Sequence, residues 1–162
     1  PTLSIAITST AAGFGILSPS TSATATSTFS VINYTSYGYA VQITGKAPSS
    51  GAHTITPMTT TAIAQSGLEQ FGINLVANTL PRSFGANPDN GQFGFGQVGL
   101  GPGDTKYSTP NEFRYVSGET IASAPKSSGQ TNYTISYLVN TAGITPGGRY
   151  TSDQTLIVTG TY

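Results

Sequence analysis

The chain has 162 residues, of which only 7% are charged, against about 25% in ordinary soluble domains, and six basic side chains balance six acidic ones. Because counterion release needs clustered Lys and Arg, scattered single charges exclude an electrostatic surface for nucleic acid or for anionic membranes. Cysteine is absent, which excludes a disulfide framework.

Apolar and polar residues alternate along most of the chain, which predicts β-strands. The first candidate has Leu3, Ile5 and Ile7 on one face, and the second covers residues 23–31. Further strands are predicted over residues 38–44, 71–77, 112–116, 131–140 and 153–162. The last segment is apolar on both faces near its start, which favours a central strand. Residues 60–68 are the one weak helix candidate.

Clusters of Gly, Pro, Asn and Ser separate these segments, as at residues 48–51 and 125–129. Seven or more strands joined by long loops predict an all-β chain, an antiparallel Ig-like or pilin-like β-sandwich with Gly/Pro-rich loops. The length favours a single domain over residues 1–162. No run approaches the roughly 20 apolar residues of a membrane span, so we expect no membrane insertion.

A glycine motif stands in residues 93–99, which read FGFGQVG and contain the spacing G-x-G-x-x-G. In a dinucleotide-binding turn these glycines follow a strand and open a helix whose N terminus holds a pyrophosphate. Here turn-forming residues precede the motif, and the LGPG that follows cannot begin a helix. The motif therefore predicts a surface loop that binds no nucleotide, with Phe93 and Phe95 turned inward.

Candidate catalytic side chains are few. His53 is the only histidine, and one histidine without cysteine cannot build a typical zinc site. Glu112 and Glu119 are the closest glutamates in sequence, but their spacing carries no geometric information for glycoside hydrolysis. Asp89 and Asp104 flank the glycine loop without the alternating spacing of calcium loops. We expect no enzymatic activity, no catalytic residue, no cofactor and no metal site.

Two N-x-Thr triplets begin at Asn33 and Asn132. Such triplets arise by chance in a chain this rich in Asn, Ser and Thr. In a secreted chain, however, both asparagines would be candidate glycosylation sites.

Several segments of the chain resemble secreted prokaryotic β-sandwich domains. They are FGILSP at 14–19, TATSTFSV at 24–31, GYAVQIT at 38–44, and TPGGRY at 145–150, which runs into TLIVTGTY at 155–162. In these segments the chain is similar to pilin-like, spore-coat-U type and cell-wall-associated WxL-type domains. The resemblance implies an extracellular or cell-surface location and a role in assembly or attachment, with no catalytic residues to carry over.

Three functions are consistent with these features. The first is a structural subunit of an extracellular filament, a pilus or surface fibre, in which copies of the chain join by β-strand exchange. The second is an adhesive or carbohydrate-binding module that meets a host surface or glycans through the loop aromatics Tyr34, Tyr37, Phe93, Phe95 and Tyr107. The third is a β-sandwich of a viral capsid or tail.

Residues 1–10 are the predicted donor strand. They carry no charged side chain and present Leu3, Ile5 and Ile7 on one face. A connection of about a dozen residues, rich in Gly, Ser and Pro, leads to the next strand and reaches up to roughly 40 Å if extended. That reach could place the segment on an adjacent subunit. The alternative is that it forms the first strand of its own sandwich.

Overall fold

The computed structural model describes residues 1–90, 92 and 94–162. This described part contains twelve β-strands and no helix, which confirms the all-β prediction. In chain order the strands are β1 (Leu3–Ile7), β2 (Ala23–Asn33), β3 (Gly38–Thr44), β4 (Ser49–Ser50), β5 (His53–Thr54), β6 (Ala62–Ile63), β7 (Gln70–Asn74), β8 (Gln97–Val98), β9 (Glu112–Phe113), β10 (Thr120–Ala124), β11 (Gly129–Asn140) and β12 (Thr155–Thr161).

The strands form two four-stranded sheets and two short ribbons. The first sheet has the order β1-β2-β11-β7, and the second has the order β12-β3-β10-β8. Every pairing within them is antiparallel. The ribbons are β4 with β5 and β6 with β9. β1 and β12 are therefore edge strands, one in each sheet.

The two sheets share one apolar core, as expected for a β-sandwich. Val31 and Ile135 from the first sheet and Ile43 from the second are buried in the same cluster. Between the sheets, the hydroxyls of Tyr39 and Tyr133 lie 2.7 Å apart. Alternate residues of each strand point into this core, which explains why period-two patterns located most of the long strands.

The two ends of the sandwich differ in the segments that they bring together. At the terminal end, the turn 34–37 joins β2 to β3, and both chain termini lie nearby because Leu3 pairs with Asn33 and Thr161 with Gly38. At the opposite end, β2 begins and β11 finishes. We call this the cleft end, because the connections 8–22 and 141–154 bound a cleft there.

The structure corrects three sequence-based expectations. Residues 60–68 contain β6 rather than a helix. β12 is an edge strand rather than a central one, since its Leu156 and Val158 pack on the core while Ile157 is 43% exposed. The sequence pattern missed β10, a central strand between β3 and β8, because its small residues are buried on both faces and show no alternation.

Candidate functional site

β1 forms backbone pairs with one strand only. It pairs antiparallel with β2 from Leu3 opposite Asn33 to Ile7 opposite Phe29, and no described strand pairs with its other edge. Leu3 and Ile5 are half-buried against the core, whereas Ile7 is 48% exposed. The three predicted donor residues thus share the inward face, and their apolar contact weakens toward Ile7.

The residues after Ile7 are too small to continue this apolar face. In the β1 register the next inward positions would be Ser9, Ala11 and Gly13. Both Thr8 and Ser9 donate their backbone N–H to the Thr28 carbonyl, at 2.9 and 3.2 Å, and the chain then leaves the ladder. The strand ends here because the core at the cleft end needs larger side chains than this register supplies.

The segment that follows, residues 10–17, covers the side of the sandwich, and we call it the strap. It has no regular secondary structure. Its Ala12, Phe14 and Leu17 pack on the core, and the Phe14 ring meets Tyr137 edge-on at 6.4 Å. No backbone hydrogen bond joins residues 10–17 to the rest of the described chain. Side-chain packing alone therefore holds the strap in place.

Because the strap leaves the ladder, part of β2 has an open edge. In an antiparallel strand the backbone groups of alternate residues point to the same side. Thr28 faces β1, so Thr24 and Thr26 direct their N–H and C=O groups toward the same side. No described residue hydrogen-bonds to those groups. We call residues 23–27 the open half of β2, and residues 29–33 the occupied half.

A cleft of about 1220 Å³ lies between the strap and the connection 141–154, and β2 contributes Ser27, Thr28 and Phe29 to its lining. Its apolar floor comes from both the first sheet and the opposing edge strand. The floor residues are Phe29, Phe71, Ile135, Tyr137, Val139 and Leu156. Ser27 on β2 reaches the rim, where its hydroxyl lies 3.0 Å from the Tyr137 hydroxyl. The cleft is thus an apolar groove with polar margins next to an unpaired strand edge.

Glu69 holds the far wall of the cleft, the connection 141–154, through a hydrogen bond from Thr145. Its carboxylate accepts hydrogen bonds from Thr145 (2.6 Å) and Thr56 (3.2 Å), and it lies 2.7 Å from the His53 ring nitrogen. Burial opposes ionisation of Glu69, but the bonds from Thr145 and His53 outweigh it, so the pKa of this carboxyl lies below its usual value. The ring of Tyr150, in the same connection, meets His53 edge-on at 6.1 Å.

Aromatic side chains gather at the terminal end. Tyr37 and the fully exposed Tyr162 have ring centroids 5.1 Å apart, and Tyr34 is half-exposed. Phe95 is half-buried, with the Lys126 amine 4.2 Å from its ring centroid.

The other two aromatics expected on loops do not join this group. Tyr107 is fully buried and donates a hydrogen bond to Glu119 at 2.5 Å, so it is not a surface aromatic. Phe93 lies outside the described residues.

The two N-x-Thr asparagines differ in access. Asn33 is fully buried, and its side-chain amide donates to the carbonyls of Tyr37 and Lys126 at 2.8 and 3.2 Å. Asn132 has an exposed side chain whose oxygen accepts a hydrogen bond from Gln130. Of these two asparagines, only Asn132 is exposed to solvent in the folded chain.

The glycine motif has a packing explanation. A side chain at Gly96 would place its Cβ 2.1 Å from the Thr131 hydroxyl, and Gly99 has a φ of 60° in the turn after β8. A two-residue strand and a turn occupy this region where a phosphate-binding site would need a long strand and a helix. These glycines therefore allow close packing against β11 and a tight turn.

Glu119 makes a structural ion pair. Arg114 binds Glu119 through two hydrogen bonds of 2.8 and 2.6 Å, and these bonds hold the pKa of the Glu119 carboxyl below its usual value. Across the described residues, no three His, Asp or Glu side chains approach closely enough to hold a metal ion. No helix in this part of the chain is long and apolar enough to cross a membrane.

Sequence reasoning missed the open half of β2 and the cleft beside it. The available signal was that Ala23, Ala25 and Ser27, the inward residues at the start of β2, are all small. Small inward residues leave space that another segment must fill. The pattern does not reveal which segment fills it.

No protein-family model, curated protein or solved structure matches this chain.

Proposed function

We propose that this chain is a non-enzymatic structural subunit of an extracellular filament, a pilus or surface fibre, in which copies join by exchanging β1. The observation that supports it is the attachment of β1, an uncharged edge strand that pairs with β2 alone and is followed by a strap with no backbone hydrogen bond to the rest of the described chain. The assignment of the sandwich as Ig-like or pilin-like, which comes from the sequence, is part of this proposal.

The connection is long enough for exchange. At the strand rise of about 3.3 Å per residue, the start of β2 lies only about 20 Å beyond the position opposite Ile7. The connection 8–22 can span up to roughly 50 Å when extended. About 30 Å of reach is therefore unused within one chain and could bridge to a neighbour.

Exchange would preserve the contacts of β1. A neighbour's β1 entering in the same register places Leu3 opposite Asn33 and Ile5 opposite Val31, as in the single chain. Such swaps change the covalent connection rather than the packing, so their free-energy difference is small. Each copy would give a strand to one neighbour and accept one from another, which produces an open-ended chain.

Cysteine cross-linking of mixed chains tests this proposal, because the protein has no native cysteine. Ser4 on β1 faces Ile32 on β2. S4C chains and I32C chains, carrying tags of different mass, are mixed and oxidised. Exchange predicts a disulfide between the two kinds of chain.

The matched control uses Thr44 and Thr155, which face each other on β3 and β12. Exchange of β1 leaves this pair within one chain, so mixed T44C and T155C chains should not cross-link. If mixed S4C and I32C chains also stay unlinked, while a chain carrying both substitutions closes its own disulfide, β1 does not exchange.

A second candidate function is adhesion to glycans, favoured by the aromatic group of Tyr34, Tyr37 and Tyr162 at the terminal end. Exposed rings of this kind can stack on sugar faces. A glycan array compares the full chain with Y37A. Selective glycan binding that Y37A abolishes would support this function, and absence of binding would exclude it for the glycans on the array.

A further inference from the structure

The edge of β2 is only half used by its own chain. β1 pairs with the occupied half, and the open half presents the N–H and C=O groups of Thr24 and Thr26 without a hydrogen-bonding partner in the described chain. Unpaired strand edges are the sites where extended peptides add to sheets. Ser27, the last residue of the open half, lines the cleft.

We infer that the open half of β2 binds an extended segment of a second protein chain, uncharged and with aliphatic side chains at alternate positions, in line with β1. This inference rests on the proposed function and adds a second acceptor site to the same edge. The hydrogen bonds would come from the backbone of Thr24 and Thr26, and the incoming side chains would fill space beside the strap.

The spacing of the backbone groups points to an extended peptide. Thr24 and Thr26 are two residues apart in one strand, so their groups repeat at about 6.6 Å. An added strand supplies donors and acceptors at that same repeat. A lipid or another compact apolar ligand would leave these groups unpaired.

The preference for aliphatic residues follows from both halves of the edge. Ala23, Ala25 and Ser27 are small and uncharged, and the strap that packs near them through Ala12, Phe14 and Leu17 is uncharged too. The occupied half already accepts such a segment, with Leu3 and Ile5 turned inward. The occupied half therefore shows that aliphatic side chains at alternate positions fit this strand edge.

The absence of local charge selects against charged segments. No Lys, Arg, Asp or Glu occurs before Lys46, so β1, the strap and β2 are all uncharged. The charged residues that line the cleft are Arg149 and Asp153, both in the opposite wall and of opposite sign. A charged side chain turned toward the floor would be desolvated without a partner, which is costly.

The test uses a fluorescein-labelled peptide, TLSIAITS, which has the required alternation. Its binding to the full chain is followed by fluorescence anisotropy. A second peptide, TLSKAKTS, replaces two aliphatic residues with lysine. We expect the first peptide to bind and the second to bind at least about tenfold more weakly. Equal binding of the two peptides would contradict the inference.

Two substitutions at one position locate the site. The Thr26 N–H points to the open edge rather than to β11, so T26P removes an edge donor without removing a β2–β11 hydrogen bond. T26V also removes the hydroxyl but keeps the N–H. We expect T26V to bind TLSIAITS like the native chain and T26P to bind it at least about tenfold more weakly. Equal binding by both variants would place the peptide elsewhere and overturn the inference.

A measurement on the native chain covers the case in which T26P fails to fold. Saturating TLSIAITS should slow amide hydrogen exchange at Thr24 and Thr26. Unchanged exchange at both amides would also overturn the inference. The disulfide between S4C chains and I32C chains tests β1 exchange separately. A positive cross-link without peptide binding would therefore refute only the second acceptor site.

Discussion

At the scale of single residues, Gly96 shows how packing can produce a motif that resembles a nucleotide site. Its φ is not in the left-handed region, but a Cβ there would lie 2.1 Å from the hydroxyl of the buried Thr131. We expect G96A to lower the free energy of unfolding by about 1–3 kcal/mol through overpacking. G143A is the matched control, because no atom lies within 4 Å of its added Cβ. Urea unfolding measures both, and equal stability of the two variants would contradict the packing explanation.

Glu69 makes the cleft wall sensitive to acid. Its pKa is lowered in the folded chain, so its contribution to stability is present above its ordinary value of 4.5 and is lost as the pH falls through the folded value. We expect the thermal midpoint of the native chain to exceed that of E69Q at pH 7, and the difference to shrink below about pH 4.5. Thermal melts from pH 7 to pH 3 measure this. A difference that stays constant over the range would contradict the role given to the carboxylate.

The orientation of some side chains could be predicted from the sequence, whereas the unpaired backbone groups of β2 could not. The inward face of Leu3, Ile5 and Ile7 followed from alternation, which depends only on neighbours in sequence. The open groups of Thr24 and Thr26 depend on where β1 ends. That end depends on how distant residues pack, and no local pattern carries this information.

At the scale of elements, strands with alternating apolar residues were predictable, whereas β10 and the two-residue strands β4, β5, β6 and β8 were not. β2, β3 and the first half of β11 alternate because one face of each meets the core. Residues 120–124 read TIASA, with four of the five buried, so their pattern has no polar side to mark it. β6 and β9 are two-residue strands that exist through pairing with each other.

Within β1, a substitution on the inward face should have a different effect from one on the outward face. Ile5 is half-buried against the core, whereas Ser4 is exposed. A carboxylate at position 5 would be desolvated without a partner, so we expect I5D to release β1 and reduce assembly at least about tenfold. S4D should assemble normally. Light scattering measures assembly, and normal assembly of I5D would contradict a role for the apolar face.

The strap should restrain exchange of β1, because its side chains must leave the cleft when the connection extends. Phe14 packs on the core, and Ile16 is 97% exposed. We expect F14A to lower stability by about 1–3 kcal/mol, less than for a fully buried Phe, and to speed the 4/32 cross-link between chains. I16A should change neither. A slower cross-link in F14A would show that the strap assists exchange.

At the scale of the whole molecule, the low content of charged residues favours association between copies of the chain. A surface with equal numbers of basic and acidic residues provides little colloidal repulsion. The edge strands β1 and β12 lie on the same side of the sandwich, where Leu3 approaches Gly160. That side therefore combines the strand that we propose to exchange, an open backbone edge and a cleft.

Removal of residues 1–10 tests β1 exchange most directly. Negative-stain microscopy and size-exclusion chromatography compare the full chain, the truncated chain, and the truncated chain with added peptide PTLSIAITST. Exchange of β1 predicts filaments from the full chain. It predicts that the truncated chain stays folded only with the peptide and does not polymerise. Normal filaments from the truncated chain without peptide would contradict β1 exchange.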